Sequence, residues 1–451
     1  MVHSRKSKSN NLLCDTKQVL LAHIKQNSQI TIALSGGIDS VVLLNLLVTL
    51  SRQIQFSLSA IHVNHGISHN AKQWSQFCCD LCHTYDIPIS VIYLKIKKES
   101  GVSLEAIARE ERYHAFNHAQ ADYVILAQHL DDQAETFLLQ LFRGAGVKGL
   151  SAMPVVRRHP SATIPQILRP LLSVSRDRIE EYARQSNLTW VTDESNDSTA
   201  FDRNFLRHDI LPVLKTRYPG YQKTLLRTSR HFAEASSLLS ELAEIDLENC
   251  VINARLQIDA MRQLSSSRIK NLLRYVLSQQ GVQPPSTSKL EDILHQLMSA
   301  RIDAQIHIVF GNTEIRCYKG ALYISPRRKL PDTIEPIRWQ GEEKLVLKDL
   351  NGTLKFTYAE NQGIDQNKIK EEPVMICLRS GGEHFTPDCN RPRRSLKNLF
   401  QETFIPPWER NALPLLFSGE KLVWVPGIGI DCAYQVKSPE QGLLPIWQPD
   451  G

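Results

Sequence analysis

The stretch Ile32-Ala-Leu-Ser-Gly-Gly-Ile-Asp-Ser40 decides the fold of the first part of the chain. It lies between a short apolar run and an apolar helical pattern, as a loop between a buried strand and a helix does. Its paired glycines permit tight turns, so successive N–H groups and the helix N-terminus can face an anion. A plain glycine turn would not explain Ser35, Ser40 or Asp39. The stretch therefore predicts a phosphate-binding loop.

The order of apolar runs and helical patterns around this loop is typical of βαβ units and predicts an α/β fold with a parallel sheet. The predicted strands are Gln29–Leu34, Phe56–Val63, Ile87–Leu94 and Tyr123–Ala127. The predicted helices are Asp39–Leu50, Lys72–Tyr85, Leu104–Ala119 and Asp131–Arg143. Since ligands of such sheets bind at the carboxyl ends of the strands, the nucleotide site is expected there.

The rest of the chain has a different pattern. Residues 217–298 are mainly helical, with predicted helices at Arg268–Gln279 and Ser288–Met298. Strands are predicted at Gln305–Phe310 and Thr313–Ile324, followed by a Pro-rich linker at Pro326–Pro336. The remainder is strand-rich. We therefore expect an α/β catalytic domain over residues 1–216, a mainly helical domain over 217–335 and an α+β domain over 336–451.

Composition favours a globular protein of the cytoplasm. The 451 residues are 42% hydrophobic and 22% charged, and the polar, basic start resembles neither a signal peptide nor a membrane span. Nine scattered cysteines are expected to be free thiols. Cys79 and Cys82 form the single Cys-x-x-Cys pair, whose surroundings indicate an amphipathic helix rather than a metal site. Whether the pair has any role is left open.

Basic residues concentrate in one segment, which favours nucleic acid as a partner. Residues 143–230 contain 15 Lys and Arg against 8 Asp and Glu, although the net charge of the whole chain is only +6. A solvated helical surface is the alternative interpretation of this segment.

Two further clusters follow predicted strands. His65 stands at the end of the second strand, next to a glycine, and is a candidate nucleotide ligand. His129 follows the fourth strand, and Asp132 and Glu135 share one helix face by their spacing. Two carboxylates beside a phosphate loop suit Mg²⁺ binding, or binding of a substrate ammonium group and its proton. A solvated helix face is the alternative.

The Ser-Gly-Gly-x-Asp-Ser signature lacks the Walker lysine and resembles the PP-loop of the N-type ATP pyrophosphatases, whose fold is Rossmann-like, of the adenine nucleotide alpha hydrolase type. With further motifs in order along the chain it resembles the tRNA(Ile)-lysidine synthetase family. Those motifs lie at residues 108–113, 141–150, 169–172, 190–197, 203–212, 268–286, 378–383, 397–400, 405–410 and 423–431.

The resemblance implies a reaction in two steps. ATP adenylates O2 of the wobble cytidine in the CAU-anticodon isoleucine tRNA, and the side-chain amine of L-lysine then displaces AMP to give lysidine. Decoding changes from AUG to AUA, and charging changes from methionine to isoleucine. ATP and Mg²⁺ are the implied cofactors, and a homodimer is compatible with the family.

The same resemblance distributes roles over the residues. Nucleotide-binding candidates are Ser35, Gly36, Gly37, Ile38, Asp39, Ser40 and His65. Catalytic candidates are Asp39, Arg112, His129, Asp132, Glu135 and Arg143, with Asp39 and Asp132 as Mg²⁺ ligands and either His129 or Glu135 as the base for lysine. Candidates for tRNA binding are Arg203, Arg207, Arg274, Arg379 and Arg394.

Two alternatives stay open at this stage. A PP-loop tRNA thiolase would adenylate a base and install sulfur through reactive thiols, an interpretation that only Cys79 and Cys82 invite. A nucleotide-dependent RNA-binding protein without catalysis would not need Asp39, His129, Asp132 and Glu135 together.

Overall fold

Six strands of the first part of the chain form one sheet. They are β1 (Ser28–Ala33), β2 (Phe56–Asn64), β3 (Ile89–Tyr93), β4 (Tyr123–Ile125), β5 (Val156–Arg157) and β6 (Gln166–Leu168). Their order across the sheet is β3-β2-β1-β4-β6-β5. All neighbours run parallel except β5, which is antiparallel to β6. The predicted parallel sheet is confirmed, with an antiparallel edge strand added.

The four helices predicted between these strands are present, each within two residues of its expected ends. The helices of this part are α1 (His3–His23), α2 (Ile38–Ser51), α3 (Ala71–Thr84), α4 (Leu104–Asn117), α5 (Leu130–Phe142), α6 (Val147–Leu150), α7 (Arg176–Gln185), α8 (Asp202–Phe205), α9 (Leu211–Arg217) and α10 (Tyr221–Cys250), with a π-helical turn at Leu206–Ile210. Helix α1 was not predicted, because few apolar residues mark it; Leu12 and Leu20 anchor it in the core.

Apolar side chains cover both faces of the sheet. Because side chains alternate along a strand, Ile30 and Ile32 of β1 pack with α2 on one face. On the other face, Ala33 packs against the cluster that includes Phe116 of α4. Truncating a core leucine of such a cluster to alanine costs about 2–5 kcal/mol. The packing therefore holds the carboxyl ends of the strands in fixed positions.

The strand order places a crevice beside the phosphate loop. The chain runs from β1 outward through β2 to β3, and then returns to β4 on the other side of β1. The order thus reverses between β1 and β4, and open α/β sheets bind ligands at such a point. The loop after β1 is the phosphate loop, and the loop after β4 carries His129.

The computed structural model describes residues 3–66, 68–94, 104–159, 161, 163–193, 201–301, 306–327, 334–437 and 439–449, without the side chains of 3–10 and 104–106. Residues 328–333 of the predicted linker and 194–197 of the motif at 190–197 lie outside this part. The chain forms two compact units, Met1–Leu242 and Ala243–Gly451. The division into three domains, with boundaries after residues 216 and 335, stays a prediction.

The second unit contains four sheets. Its strands are β7 (Val251–Ile252), β8 (Arg255–Gln257), β9 (His307–Phe310), β10 (Thr313–Tyr318), β11 (Ala321–Pro326), β12 (Ile337–Arg338), β13 (Lys344–Leu347), β14 (Gly352–Glu360), β15 (Val374–Cys377), β16 (His384–Phe385), β17 (Arg394–Ser395), β18 (Leu415–Ser418), β19 (Lys421–Val425), β20 (Gly429–Ile430) and β21 (Gln441–Pro449). The sheet orders are β7-β8-β11-β10-β9, β12-β15-β18-β19-β20, β13-β14-β21 and β16-β17, with antiparallel pairing.

Helices accompany these sheets. They are α11 (Ile258–Met261), α12 (Ser266–Gln279), α13 (Thr287–Ser299), α14 (Gln366–Ile369), α15 (Leu396–Glu402) and α16 (Pro407–Arg410). The helices expected at 268–279 and 288–298 are confirmed. The single run expected over Thr313–Ile324 is instead a hairpin, because Lys319 and Gly320 take positive φ angles and turn the chain.

The expectation that all cysteines are free is wrong for two of them. Cys389 and Cys432 form a disulfide. They are 43 residues apart in sequence, but their Cα atoms lie 5.4 Å apart because the N–H of Cys432 donates to the carbonyl of Thr386 and so joins the two loops. The other seven cysteines are free.

Candidate active site

The phosphate loop has the backbone geometry expected of an anion site. Gly36 takes a φ of 87°, and a side chain there would lie only 2.8 Å from a methyl group of Val191, so only glycine fits. The Ser40 hydroxyl donates to the carbonyl of Gly37 at 2.9 Å and lies 3.1 Å from the hydroxyl of Ser35. The loop opens at the N-terminus of α2, where backbone N–H groups and the helix dipole favour negative charge.

His129 lies between the carboxylates of three aspartates. Its Nε2 is 3.6 Å from Oδ1 of Asp39 and 3.5 Å from Oδ2 of Asp132, and its Nδ1 is 3.6 Å from Oδ2 of Asp131. The backbone N–H of His129 also donates to Asp132 at 3.0 Å. The reversal of strand order thus brings Asp39, from the first turn of α2 after β1, together with His129, which precedes α5, and Asp132, from the first turn of α5 after β4.

The charges of this cluster stabilise one another. Burial by itself would lower the pKa of His129, but the carboxylates of Asp132, Asp131 and Asp39 outweigh it and raise the pKa above 6.5. Burial would raise the pKa of Asp132, but His129 and Arg203 outweigh that effect and lower it. Burial does raise the pKa of Asp39, against the opposing effects of His129 and Arg176. His129 therefore favours the imidazolium form.

Glu135 is held by two arginines. Its carboxylate is buried and accepts from Nε of Arg203 at 2.6 Å and from Nε of Arg207 at 2.7 Å. Arg203 also donates to Oδ1 of Asp132 at 2.8 Å. Arg203 and Arg207 were expected to face tRNA phosphates; their guanidinium groups instead contact the carboxylates of α5, one helical turn apart. Their role in tRNA binding stays a prediction.

The remaining candidates of the first unit make other contacts, and Arg143 follows α5 at the opposite end of that helix from Asp132. Arg112 donates to Nε2 of His65 at 3.0 Å, and burial together with the Arg112 charge lowers the pKa of His65 to about 4. His65 is therefore neutral. Arg143 ends α5 with an exposed guanidinium group, 3.8 Å from a carboxylate oxygen of Asp202.

The sequence patterns did not mark three residues of the site, which are Arg176, Asp131 and Gln222. Arg176, at the start of α7, forms an ion pair with Oδ2 of Asp39. Its backbone N–H donates to Asp131 at 3.0 Å, and Gln222 donates to the other oxygen of Asp131. Arg176 and Asp39 are 137 residues apart, so no local pattern connects them.

The tRNA-binding candidates of the second unit differ in exposure and pairing. Arg274 is exposed on α12. Arg379 lies 3.9 Å from a carboxylate oxygen of Glu383, and Arg394 donates to Glu402 at 2.7 Å. Only Arg274 of these three forms no ion pair within the part of the chain that the structure describes.

Two of the three cysteines of α3 are poorly suited to sulfur chemistry. Cys78 and Cys82 are buried in the core of the first unit. Burial raises the pKa of Cys78 to about 12 and that of Cys82 to about 11, so both stay protonated near neutral pH. Of the Cys79 and Cys82 pair that invited a thiolase, Cys82 is thus a packing residue.

A cavity of about 470 Å³ lies elsewhere in the first unit, between the sheet and α4. Its lining includes Thr31, Ser59, Ser90, Glu111 and His114, and none of the phosphate-loop residues. This cavity is therefore separate from the phosphate loop.

Comparison with known proteins agrees with this geometry. The profile of the PP-loop domain family matches residues 6–214, that of the TilS substrate binding domain matches 256–323, and that of the TilS substrate C-terminal domain matches 374–447. A tRNA(Ile)-lysidine synthase from Nitrosomonas europaea is 52% identical over 431 residues, covering 95% of this chain and 94% of that protein. The chain belongs to the tRNA(Ile)-lysidine synthase family.

A second relative and a solved structure share fewer identical residues with this chain. The tRNA(Ile)-lysidine synthase of Coxiella burnetii is 37% identical, covering 94% of each chain. Among solved structures, a U34-tRNA thiolase from Methanococcus maripaludis is 21% identical with a TM-score of 0.44, covering 51% of this chain and 80% of that one. The family profile also identifies residues 6–214 as a PP-loop, ATP-binding domain.

Two further features concern metals and membranes. Within the described residues, no three His, Cys, Asp or Glu side chains are grouped so as to hold a metal ion. No described helix is long and apolar enough to span a membrane.

Proposed function

We propose that this protein ligates L-lysine to carbon 2 of the wobble cytidine in the CAU-anticodon isoleucine tRNA and so forms lysidine. The observation that carries the proposal is the meeting of the phosphate loop with Asp39, His129 and Asp132 at the reversal of strand order. The full-length similarity to a tRNA(Ile)-lysidine synthase supports the choice of substrate. The product changes decoding from AUG to AUA and charging from methionine to isoleucine.

In the first step, O2 of the cytidine attacks the α-phosphorus of ATP, a P–O bond forms and pyrophosphate leaves. The phosphate loop binds the departing pyrophosphate through backbone N–H groups and the hydroxyl groups of Ser35 and Ser40. The imidazolium of His129 adds a fixed positive charge close to the loop. Arg112 and Arg143 are proposed to contact phosphate oxygens, and His65 to contact the nucleotide.

Mg²⁺ fits one carboxylate of the site better than the other. Oδ1 of Asp39 is buried and has no hydrogen-bond partner, whereas both oxygens of Asp132 accept hydrogen bonds. Because Mg²⁺ is usually held by one or two carboxylates together with substrate phosphates, we propose Asp39 as its protein ligand. When bound, the ion neutralises charge on the phosphates. Asp132 would have to release Arg203 or His129 to join it.

In the second step, the neutral form of the lysine amine attacks carbon 2, a C–N bond forms, the C–O bond to AMP breaks, and the proton that the amine releases passes to water. Glu135 is poorly placed as the base, since both of its oxygens bind arginines. The surrounding carboxylates raise the pKa of His129, which favours its imidazolium over the neutral form that a base requires. We propose that Glu135 positions Arg203 and Arg207, and that His129 acts as a cation.

Binding of tRNA is proposed to involve both units. Arg274, Arg379 and Arg394 are the candidates in the second unit, and a phosphate that approaches Arg394 would compete with Glu402. Since tRNA and ATP are substrates of the cytoplasm, we propose that location. A homodimer stays a prediction.

The test incubates the purified protein with ATP, Mg²⁺, isotope-labelled lysine and a CAU-anticodon isoleucine tRNA transcript, and then analyses nucleosides by mass. The expected product is acid-stable labelled lysine on the wobble cytidine. A methionine tRNA with the same anticodon is the matched control and should stay unmodified. Adenylated tRNA that never accepts lysine would contradict the proposal and make sulfur the next nucleophile to test.

A further inference from the structure

Three arginines surround Tyr113 in the first unit. The guanidinium carbon of Arg109, on α4, lies 5.2 Å from the centre of the Tyr113 ring, and that of Arg157, on β5, lies 4.7 Å from it. Arg169, which follows β6, contacts the phenol oxygen from Nη2 at 3.4 Å. We call Arg109, Tyr113, Arg157 and Arg169 the Tyr113 cluster.

Among the described residues, no carboxylate neutralises the charge of the Tyr113 cluster. Arg169 is only 3% exposed, yet its other hydrogen bonds go to the side-chain oxygen of Gln128 and the carbonyl of Pro154, which are neutral. Within the described residues, neither Arg109 nor Arg157 forms an ion pair. A buried guanidinium group without a carboxylate is unusual, because desolvating an unpaired charge is costly.

The pKa shifts of Arg169 and Tyr113 agree with this geometry. Burial, together with the repulsion of Arg157 and Arg109, lowers the pKa of Arg169 despite the favourable contact with Tyr113. Burial would raise the pKa of Tyr113, but the three arginines lower it overall. The largest contributions to both pKa shifts come from burial and from the other members of the cluster. The cluster is therefore a local excess of positive charge that an anion would relieve.

The Tyr113 cluster lies at the edge of the sheet where the substrate is proposed to bind. Arg169 follows the carboxyl end of β6, and Gln128 follows that of β4, so both lie at the edge of the sheet that carries the phosphate loop. Arg109 and Arg157 are exposed to solvent. An RNA whose wobble base enters the nucleotide site therefore has its backbone near this edge.

We propose that the Tyr113 cluster is a phosphodiester-binding site for the tRNA backbone, with Arg109 and Arg157 as the contacting side chains and Arg169 as the positioning residue beneath them. The inference rests on the proposed function, since it takes tRNA as the substrate. Guanidinium groups are the common donors to nucleic-acid phosphates, and such contacts fix position without reading sequence.

The test measures the affinity of the full-length protein for the isoleucine tRNA transcript over a series of salt concentrations. Each phosphate contact contributes about 0.9 to the slope of log K against log salt, which corresponds to roughly fivefold in affinity near 0.15 M salt. Arg109→Ala and Arg157→Ala are each expected to reduce the slope by about 1, and the double variant by about 2. Arg157→Lys should retain most of the slope, because it retains the charge.

Arg158→Ala is the matched control, since it removes the same charge at the next residue, which does not stack on the Tyr113 ring. It should leave the slope close to that of the wild type. An equal effect of Arg157→Ala and Arg158→Ala would overturn the proposal, because only net charge would then matter.

A measurement of ATP binding distinguishes whether the Tyr113 cluster binds phosphates of tRNA or of ATP. Arg157→Ala should bind ATP as the wild type does, and weakened ATP binding with unchanged tRNA binding would assign the cluster to the nucleotide instead. Failure of the wild-type protein to bind tRNA would count against the proposed function itself. If the wild type binds tRNA normally and the Arg109 and Arg157 variants bind it in the same way, only the role of the Tyr113 cluster is contradicted.

Discussion

Two groups of arginines in the first unit differ in what neutralises them. Arg203 and Arg207 contact the carboxylates of Glu135 and Asp132. In the Tyr113 cluster, the partners are an aromatic ring, an amide, a carbonyl and a phenol. The basic segment of the sequence contains members of both groups. Charge counted along a chain thus shows where cations are, but their partners decide which are available to RNA.

Glu135→Gln is expected to give the largest change in stability. It removes a buried charge that compensates Arg203 and Arg207, and breaking a buried pair in this way costs about 3–5 kcal/mol. The measurement is the midpoint of thermal unfolding. Asp177→Asn is the control, because Asp177 is exposed and 3.6 Å from Lys215, and exposed pairs contribute little. Equal midpoints for the two variants would show that the ion pairs of Glu135 with Arg203 and Arg207 do not stabilise the fold.

Arg203→Ala tests whether an arginine that contacts carboxylates is available to RNA. It removes hydrogen bonds to Glu135 and Asp132, and we expect a loss of about 2 kcal/mol in the free energy of unfolding. The salt slope of tRNA binding should change by clearly less than 1, in contrast to Arg157→Ala. A slope reduced by a full unit would show that Arg203 contacts a tRNA phosphate, as the sequence predicted.

A smaller effect is expected from the titration of His129. Its pKa is raised in the folded protein, so the imidazolium contributes stability below about pH 6.5, and this contribution is lost as the pH rises through the folded-state pKa. The difference in unfolding midpoint between the wild type and His129→Gln should therefore shrink from pH 6 to pH 9. A difference that grows with pH would contradict the imidazolium assignment.

The parts of the candidate site whose placement could be predicted from the sequence depend on local patterns. The phosphate loop is one continuous stretch, and the spacing of Asp132 and Glu135 is that of one helix face. The parallel order of strands then brings their ends to one edge, so the meeting of Asp39 with His129 followed from topology.

The parts that were missed depend on long-range pairing. Arg176 reaches Asp39 across 137 residues, and Arg203 reaches Glu135 across 68, with no periodicity to mark either contact. Helix α1 was missed because polar residues dominate its sequence. The disulfide of Cys389 and Cys432 depends on two loops whose proximity only the folded second unit creates.

The most direct test of the account asks whether the phosphate-loop site adenylates tRNA. The protein is incubated with ATP labelled at the α-phosphate and the isoleucine tRNA, without lysine, and label on the tRNA is measured before and after lysine is added. The account predicts label that lysine releases as AMP, and no label with Asp39→Asn, whose affinity for tRNA stays near that of the wild type. Wild-type labelling by Asp39→Asn would contradict it.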